Sequence, residues 1–139
     1  MFVTFLDQIN HQKIEKDIMI QRFNQIEYKD LEYSNSGYFS VEIPNQGWIV
    51  LFFWFVDPAR MILRYDKNIP TPQQGESWLS YNRENNLALF DIGDDTWLPF
   101  TAIIPLQTAI DSIAKFYDEP LSLPNIIQWQ NVDEVVWND

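Results

Sequence analysis

The stretch TWLPFTAIIPLQTAIDSIAKFYDEPLSLPNIIQWQ, from Thr96 to Gln130, decides the fold class of this 139-residue chain. It opens with an apolar, β-prone segment from Trp97 to Ile104, and Pro105 then supplies a residue suited to the first turn of a helix. Beyond it, Leu106, Ala109, Ile110, Ile113, Phe116 and Tyr117 recur at steps of three and four. One apolar stripe therefore faces a core while Gln107, Asp111 and Lys115 face water. Pro120 and Pro124 bound a loop after the helix, and the segment Ile126 to Gln130, with Trp129, reads as a closing strand.

Upstream of this unit the chain reads mostly as strands. Residues 1–6 form a first strand. Asn10 to Tyr28 lacks Gly and Pro and is rich in Gln, Lys, Glu, Ile and Met, which predicts a helix with Asn10 as its N-cap. Ser34-Asn35-Ser36-Gly37 is a turn, and Tyr38 to Ile43 alternates as a strand. Pro44 to Gly47 connects it to Trp48–Val56, WIVLFFWFV, a nine-residue apolar run. That run is far short of the ~17 residues a membrane-spanning helix needs, and its aromatic and β-branched content predicts a central strand buried on both faces. Arg60 to Tyr65 follows as a strand with Met61 and Leu63 on one face and Arg60, Ile62 and Arg64 on the other. Lys67 to Glu76 is the longest loop. Strands at Trp78–Tyr81, Leu87–Asp91 and Trp97–Ile103 complete a meandering antiparallel sheet, so the fold class is α+β: residues 1–139 as one domain with two main helices.

Composition supports a globular chain with a large aromatic core: 46 % hydrophobic residues and 16 % aromatic, including six Trp, ten Phe and six Tyr. There is no cysteine, which excludes disulfides and thiolate chemistry and is compatible with a reducing cytoplasm. The N-terminal MFVTFLDQ has no basic region and meets Asp7 early, so it does not read as a signal peptide.

Twenty acids against nine Lys and Arg give a net charge of −11. The surplus is lopsided: residues 84–139 hold ten acids and one base, Lys115, for −9, whereas the first 83 residues hold ten acids and eight bases. Such a surface repels nucleic acid and anionic membrane and attracts basic partners. No catalytic, metal or cofactor-binding set emerges. Asp91-Ile92-Gly93-Asp94-Asp95 does not have calcium-loop spacing. His11 is the only histidine and reads as a surface residue on the first turn of the predicted helix, and four scattered glycines form no phosphate loop.

The order of parts in the last third resembles the C-terminal signature of the Imm1 family of bacterial immunity proteins. The resemblance is carried by the apolar strand, the Ile104-Pro105 helix entry, the Phe116-Tyr117 pair ending the helix, and then Leu123, Pro124, Ile127 and Trp129. It implies a non-enzymatic cytoplasmic protein that binds the C-terminal domain of a cognate polymorphic or contact-dependent growth inhibition toxin, with no cofactor. The family supplies no catalytic residues. From charge and position in turns and at a helix end, the expected partner-binding residues are Asp94, Asp95, Trp97, Asp118, Glu119, Asp133 and Glu134. A basic nuclease or nucleic-acid deaminase is the partner this charge suits. A small-molecule-binding or enzymatic α+β domain, or an acidic DNA mimic, are the competing readings.

Overall fold

A computed structural model describes residues 1–68 and 75–137. The order of elements begins with strands β1 (Phe2–Phe5) and β2 (Ile9–Lys13), then helix α1 (Lys16–Asn24). Strands β3 (Ser36–Ile43), β4 (Gly47–Asp57), β5 (Arg60–Asn68) and β6 (Glu76–Tyr81) follow, then β7 (Leu89–Gly93), β8 (Thr96–Pro99) and the short β9 (Ile104–Pro105). Helix α2 (Leu106–Asp118) and β10 (Gln128–Asn131) close the chain. The architecture is α+β, as expected from the sequence. Antiparallel pairing sets the main sheet in the order β10-β6-β5-β4-β3-β1-β2, with β9 alongside β5.

The first expected helix is mostly corrected. Residues 9–13 form a strand, not a helix, because the chain turns back at Leu6–Gln8, with Leu6 at φ 54°, and β2 pairs with β1. Asn10 caps nothing. The N-cap is Glu15, and α1 is shorter at both ends than its composition suggests. Three-dimensional pairing outweighs helix propensity here, since Ile9 gains a place against the core. His11 accordingly sits in an exposed edge strand at φ 49°, rather than on a helix.

Ser36 and Gly37 belong to β3, not to a turn. Gly37 lies opposite Phe5, where the β1 backbone comes so close that a Cβ would collide with the Thr4 carbonyl and the Phe53 ring. Only glycine fits that approach. The 67–76 loop lies largely outside the described residues; its ends, Lys67, Asn68 and Glu76, extend β5 and β6.

One meandering sheet was expected, but β7 and β8 form a separate two-stranded sheet joined by a turn at Asp94-Asp95. Both aspartates have positive φ, 52° and 58°, which a two-residue hairpin turn demands. Trp97–Ile103 is likewise not one strand: β8 ends at Pro99 and Phe100–Ala102 is a single 3₁₀ turn.

Period-two alternation on β4 divides the molecule into two cores. Ile49, Leu51, Phe53 and Phe55 point to the helices and are buried with Val3, Phe5, Met19, Phe23, Phe39, Met61, Leu63, Ile110, Ile113 and Phe116. Phe23 alone meets the rings of Phe5, Phe39, Phe53 and Phe55, with centroids 5.1–5.9 Å away. On the opposite face a smaller core of Ile62, Leu79, Ile92, Leu98 and Ala102 lies beneath the β7–β8 hairpin. Met61 and Leu63 of β5 thus serve the large core and Ile62 the small one, in keeping with the alternation read for that strand.

Candidate docking surface

The hairpin covers only part of the sheet's second face. Trp48, Val50, Phe52 and Trp54, the other parity of β4, are half-buried or exposed, so the central strand is buried on one face rather than both. The face continues across β3 and β1 through registered neighbours: Tyr38 opposite Phe52, Ser36 opposite Trp54, Glu42 opposite Trp48, and Phe2 opposite Ser40. His11 then stacks on Phe2 with centroids 4.9 Å apart and rings within 9° of parallel. Its Nδ1 lies 3.0 Å from the Tyr38 hydroxyl.

The result is a row of rings, Trp54, Phe52, Tyr38, His11 and Phe2, at centroid spacings of 4.9–6.3 Å. Phe2 and Trp48 are 40 % and 44 % exposed, well above what a sheet face packed against a second layer allows. Charge on this face is sparse. Arg64 and Asp66 are opposite Phe52 and Val50 and neutralise each other at 3.0 Å; Glu42 and Lys13 are the other charged groups in register with it.

The sequence-expected residues divide among three places. Asp94 and Asp95 form the tip of the hairpin, exposed to solvent, and Trp97, 46 % exposed, follows them on β8 opposite Asp91. Asp133 and Glu134 lie in a one-turn 3₁₀ segment after β10, where the Asn131 side chain accepts the Asp133 N–H. Its neighbours Val132 and Val135 pack on the small core. Asp118 and Glu119 end α2 on the other side of the sheet, each with an internal cation: Lys16 at 3.1 Å and Lys115 at 3.2 Å. Hairpin tip and helix end are therefore not brought together.

Two tyrosines on the helix side are structural. Tyr65 donates to the Pro120 carbonyl at 2.9 Å and Tyr117 to the Ile14 carbonyl at 3.1 Å. Burial pushes both hydroxyls well above their ordinary pKa, with a smaller contribution from Glu76 at Tyr65 and Glu15 at Tyr117.

The aromatic row and two highly exposed tyrosines, Tyr28 and Tyr33, did not figure among the sequence-expected contacts. The signal was present in part. WIVLFFWFV carries aromatics on both parities, so three of its five, Trp48, Phe52 and Trp54, necessarily left the helix-covered core, but nothing in the run says how far the hairpin extends over them.

Among the described residues no group of three or more His, Asp or Glu side chains is placed to hold a metal ion. No helix among them is long and apolar enough to cross a membrane. Comparison of the sequence with protein-family models gives no match, and comparison with curated proteins gives none.

Proposed function

We propose that this chain is an immunity protein of the kind its C-terminal third resembles, a non-catalytic cytoplasmic inhibitor that binds the toxic domain of a polymorphic or contact-dependent inhibition toxin. The observation that carries the reading is the partly exposed row of aromatics on a chain of net charge −11. Enzymes that act on nucleic acid hold a polyanion on a basic surface, and an acidic protein with exposed rings is suited to cover one. Charge steers the encounter, and rings that lose water on contact slow dissociation.

The reading is tested by co-expressing the chain with the toxic domain encoded beside it. Rescue of growth together with co-elution of the two proteins as a stoichiometric complex is expected. A hydrolytic activity of the purified chain, abolished by one carboxylate substitution, is the result that defeats it.

A further inference from the structure

Two carboxylates without an ion-pair partner among the described residues, Glu32 and Asp94, lie near part of the aromatic row. Two cavities adjoin at Ser34, where the chain enters β3. One, of about 380 Å³, is bordered by Tyr28, Glu32, Tyr33, Asn35 and Asp94; the other, of about 330 Å³, by Thr4, Ser36, Tyr38, Phe52 and Trp54. Ser34 borders both, so the two hollows, termed the groove, lead from the hairpin tip towards the aromatic face.

Three features define its chemistry. Among the described residues, no lysine or arginine lines either cavity. Asp57, also on the first cavity, is paired with Arg60 at 2.9 Å, which leaves Glu32 and Asp94 as carboxylates without an ion-pair partner among those residues. Tyr28 and Tyr33, 76 % and 80 % exposed, stand beside them with little of their surface packed. The floor between is fixed, because the Asn35 side-chain amide donates both to the Phe55 carbonyl, 3.0 Å away, and to the Ile92 carbonyl, 2.7 Å away.

We propose that this groove is the docking site for an extended segment of a partner protein bearing arginine or lysine. The basic side chains sit between Tyr28, Tyr33, Glu32 and Asp94, where carboxylates and ring faces both favour a cation. The apolar side chains of the segment lie on Phe52 and Trp54. Charge decides the occupant: a second copy of this chain brings another −11 to an already acidic groove, and a nucleic acid meets carboxylates with no facing cation. The identity of the partner as a toxin domain rests on the inhibitor reading; the chemistry of the segment does not.

The test uses the full chain, isotope-labelled for NMR, with a short synthetic peptide of alternating arginine and glycine and its glutamate counterpart. Shifts centred on Tyr28, Tyr33, Asn35, Asp94, Phe52 and Trp54 are expected with the arginine peptide and none with the glutamate one. Two double variants, Glu32→Gln with Asp94→Asn and Tyr28→Ala with Tyr33→Ala, change exposed side chains, and asparagine tolerates the left-handed backbone at position 94. Each double variant should weaken binding about tenfold or more with the melting temperature unchanged. Shifts centred instead on Asp118-Glu119 or Asp133-Glu134, or wild-type affinity in both variants, overturn the groove. The same variants are then measured against the neighbouring toxic domain. If that domain is neutralised with an unchanged Kd by both variants, the groove is wrong and the inhibitor reading stands. If the peptide maps to the groove but no toxin is neutralised, the groove stands and the inhibitor reading is wrong.

Discussion

Lys16 and Asp118 meet at 3.1 Å, Nζ to Oδ1, although 102 residues separate them in the chain. Asp118 is the last residue of α2, where the helix dipole disfavours an anion, and the first residue of α1 supplies the compensating cation. Because both side chains are more than one-third exposed, the pair is screened and its contribution is small. Asp118→Asn should lower stability by no more than about 1 kcal/mol in chemical denaturation. The substitution should also leave the rate of association with a basic partner close to wild type, whereas Asp94→Asn slows it; stopped-flow mixing at low ionic strength compares the two.

Phe116 and Trp129 both pack on Tyr65, but not equally. Phe116 is fully buried, edge-on to Tyr65 at 6.0 Å, while Trp129 is half-buried at 6.5 Å and donates its indole N–H to the Pro124 carbonyl at 2.8 Å. Phe116→Ala should therefore cost about 3–5 kcal/mol and Trp129→Ala about 2 kcal/mol, read from denaturant midpoints at constant slope. A Trp129→Ala protein that keeps its midpoint and loses its partner marks Trp129 as a binding anchor instead.

Tyr65 and Tyr117 make the fold sensitive to alkali. Their folded-state pKa values lie above the unfolded value of about 10, so the folded state holds their protons more tightly. That stabilisation is complete below pH ~10 and declines as the pH rises towards the folded values, where the buried phenolates form. Tyr65→Phe and Tyr117→Phe should each flatten the fall in melting temperature above pH ~10. A fall as steep as that of the wild type in both variants shows that other groups drive the alkaline transition.

Asn35 fastens the β7–β8 hairpin to the sheet through its two hydrogen bonds. Asn35→Ala leaves the Ile92 and Phe55 carbonyls without that donor, at a cost of about 1–3 kcal/mol, and Asn35→Asp replaces the donor with an anion beside two carbonyl oxygens and should be worse. Limited proteolysis checks the order: the cleavage rate around Leu87–Leu89 should rise from wild type to Ala to Asp.

The last third of the chain was readable because its instructions are local. The stripe from Leu106 to Phe116 has helical spacing, Pro105 precedes its first turn, and the following prolines leave one place for a closing strand; the observed α2 and β10 differ from expectation by a residue or two. Residues 9–13 failed for the opposite reason. Asn10, His11 and Gln12 have no strong preference, and their state is set by β1, to which a turn at Leu6–Gln8 returns them. The acidic residues were correctly placed in turns and at a helix end, and the i,i+4 spacing of Lys115 and Glu119 is legible in sequence, but no local pattern points to the Lys16–Asp118 pair across 102 residues. Tyr28 and Tyr33 are not legible as surface contacts in the sequence, because an aromatic residue reads as core until a structure shows its ring in solvent.

The two cores on either side of β5 also separate two scales of motion. Opening the large core means unfolding the molecule, whereas the five buried residues of the small one hold only a hairpin and two 3₁₀ turns to a sheet that survives their release. Amide exchange at Ile92 and Leu98 should therefore proceed through a local opening well below the global free energy, while Leu51 and Phe53 exchange only with the whole fold. Since Asp94 rides on that hairpin and Ile92 and Trp54 border the groove, a partner seated there would slow exchange in the small core as far as Leu98, which borders neither cavity, and the tightness of the complex would carry the cost of holding the hairpin shut.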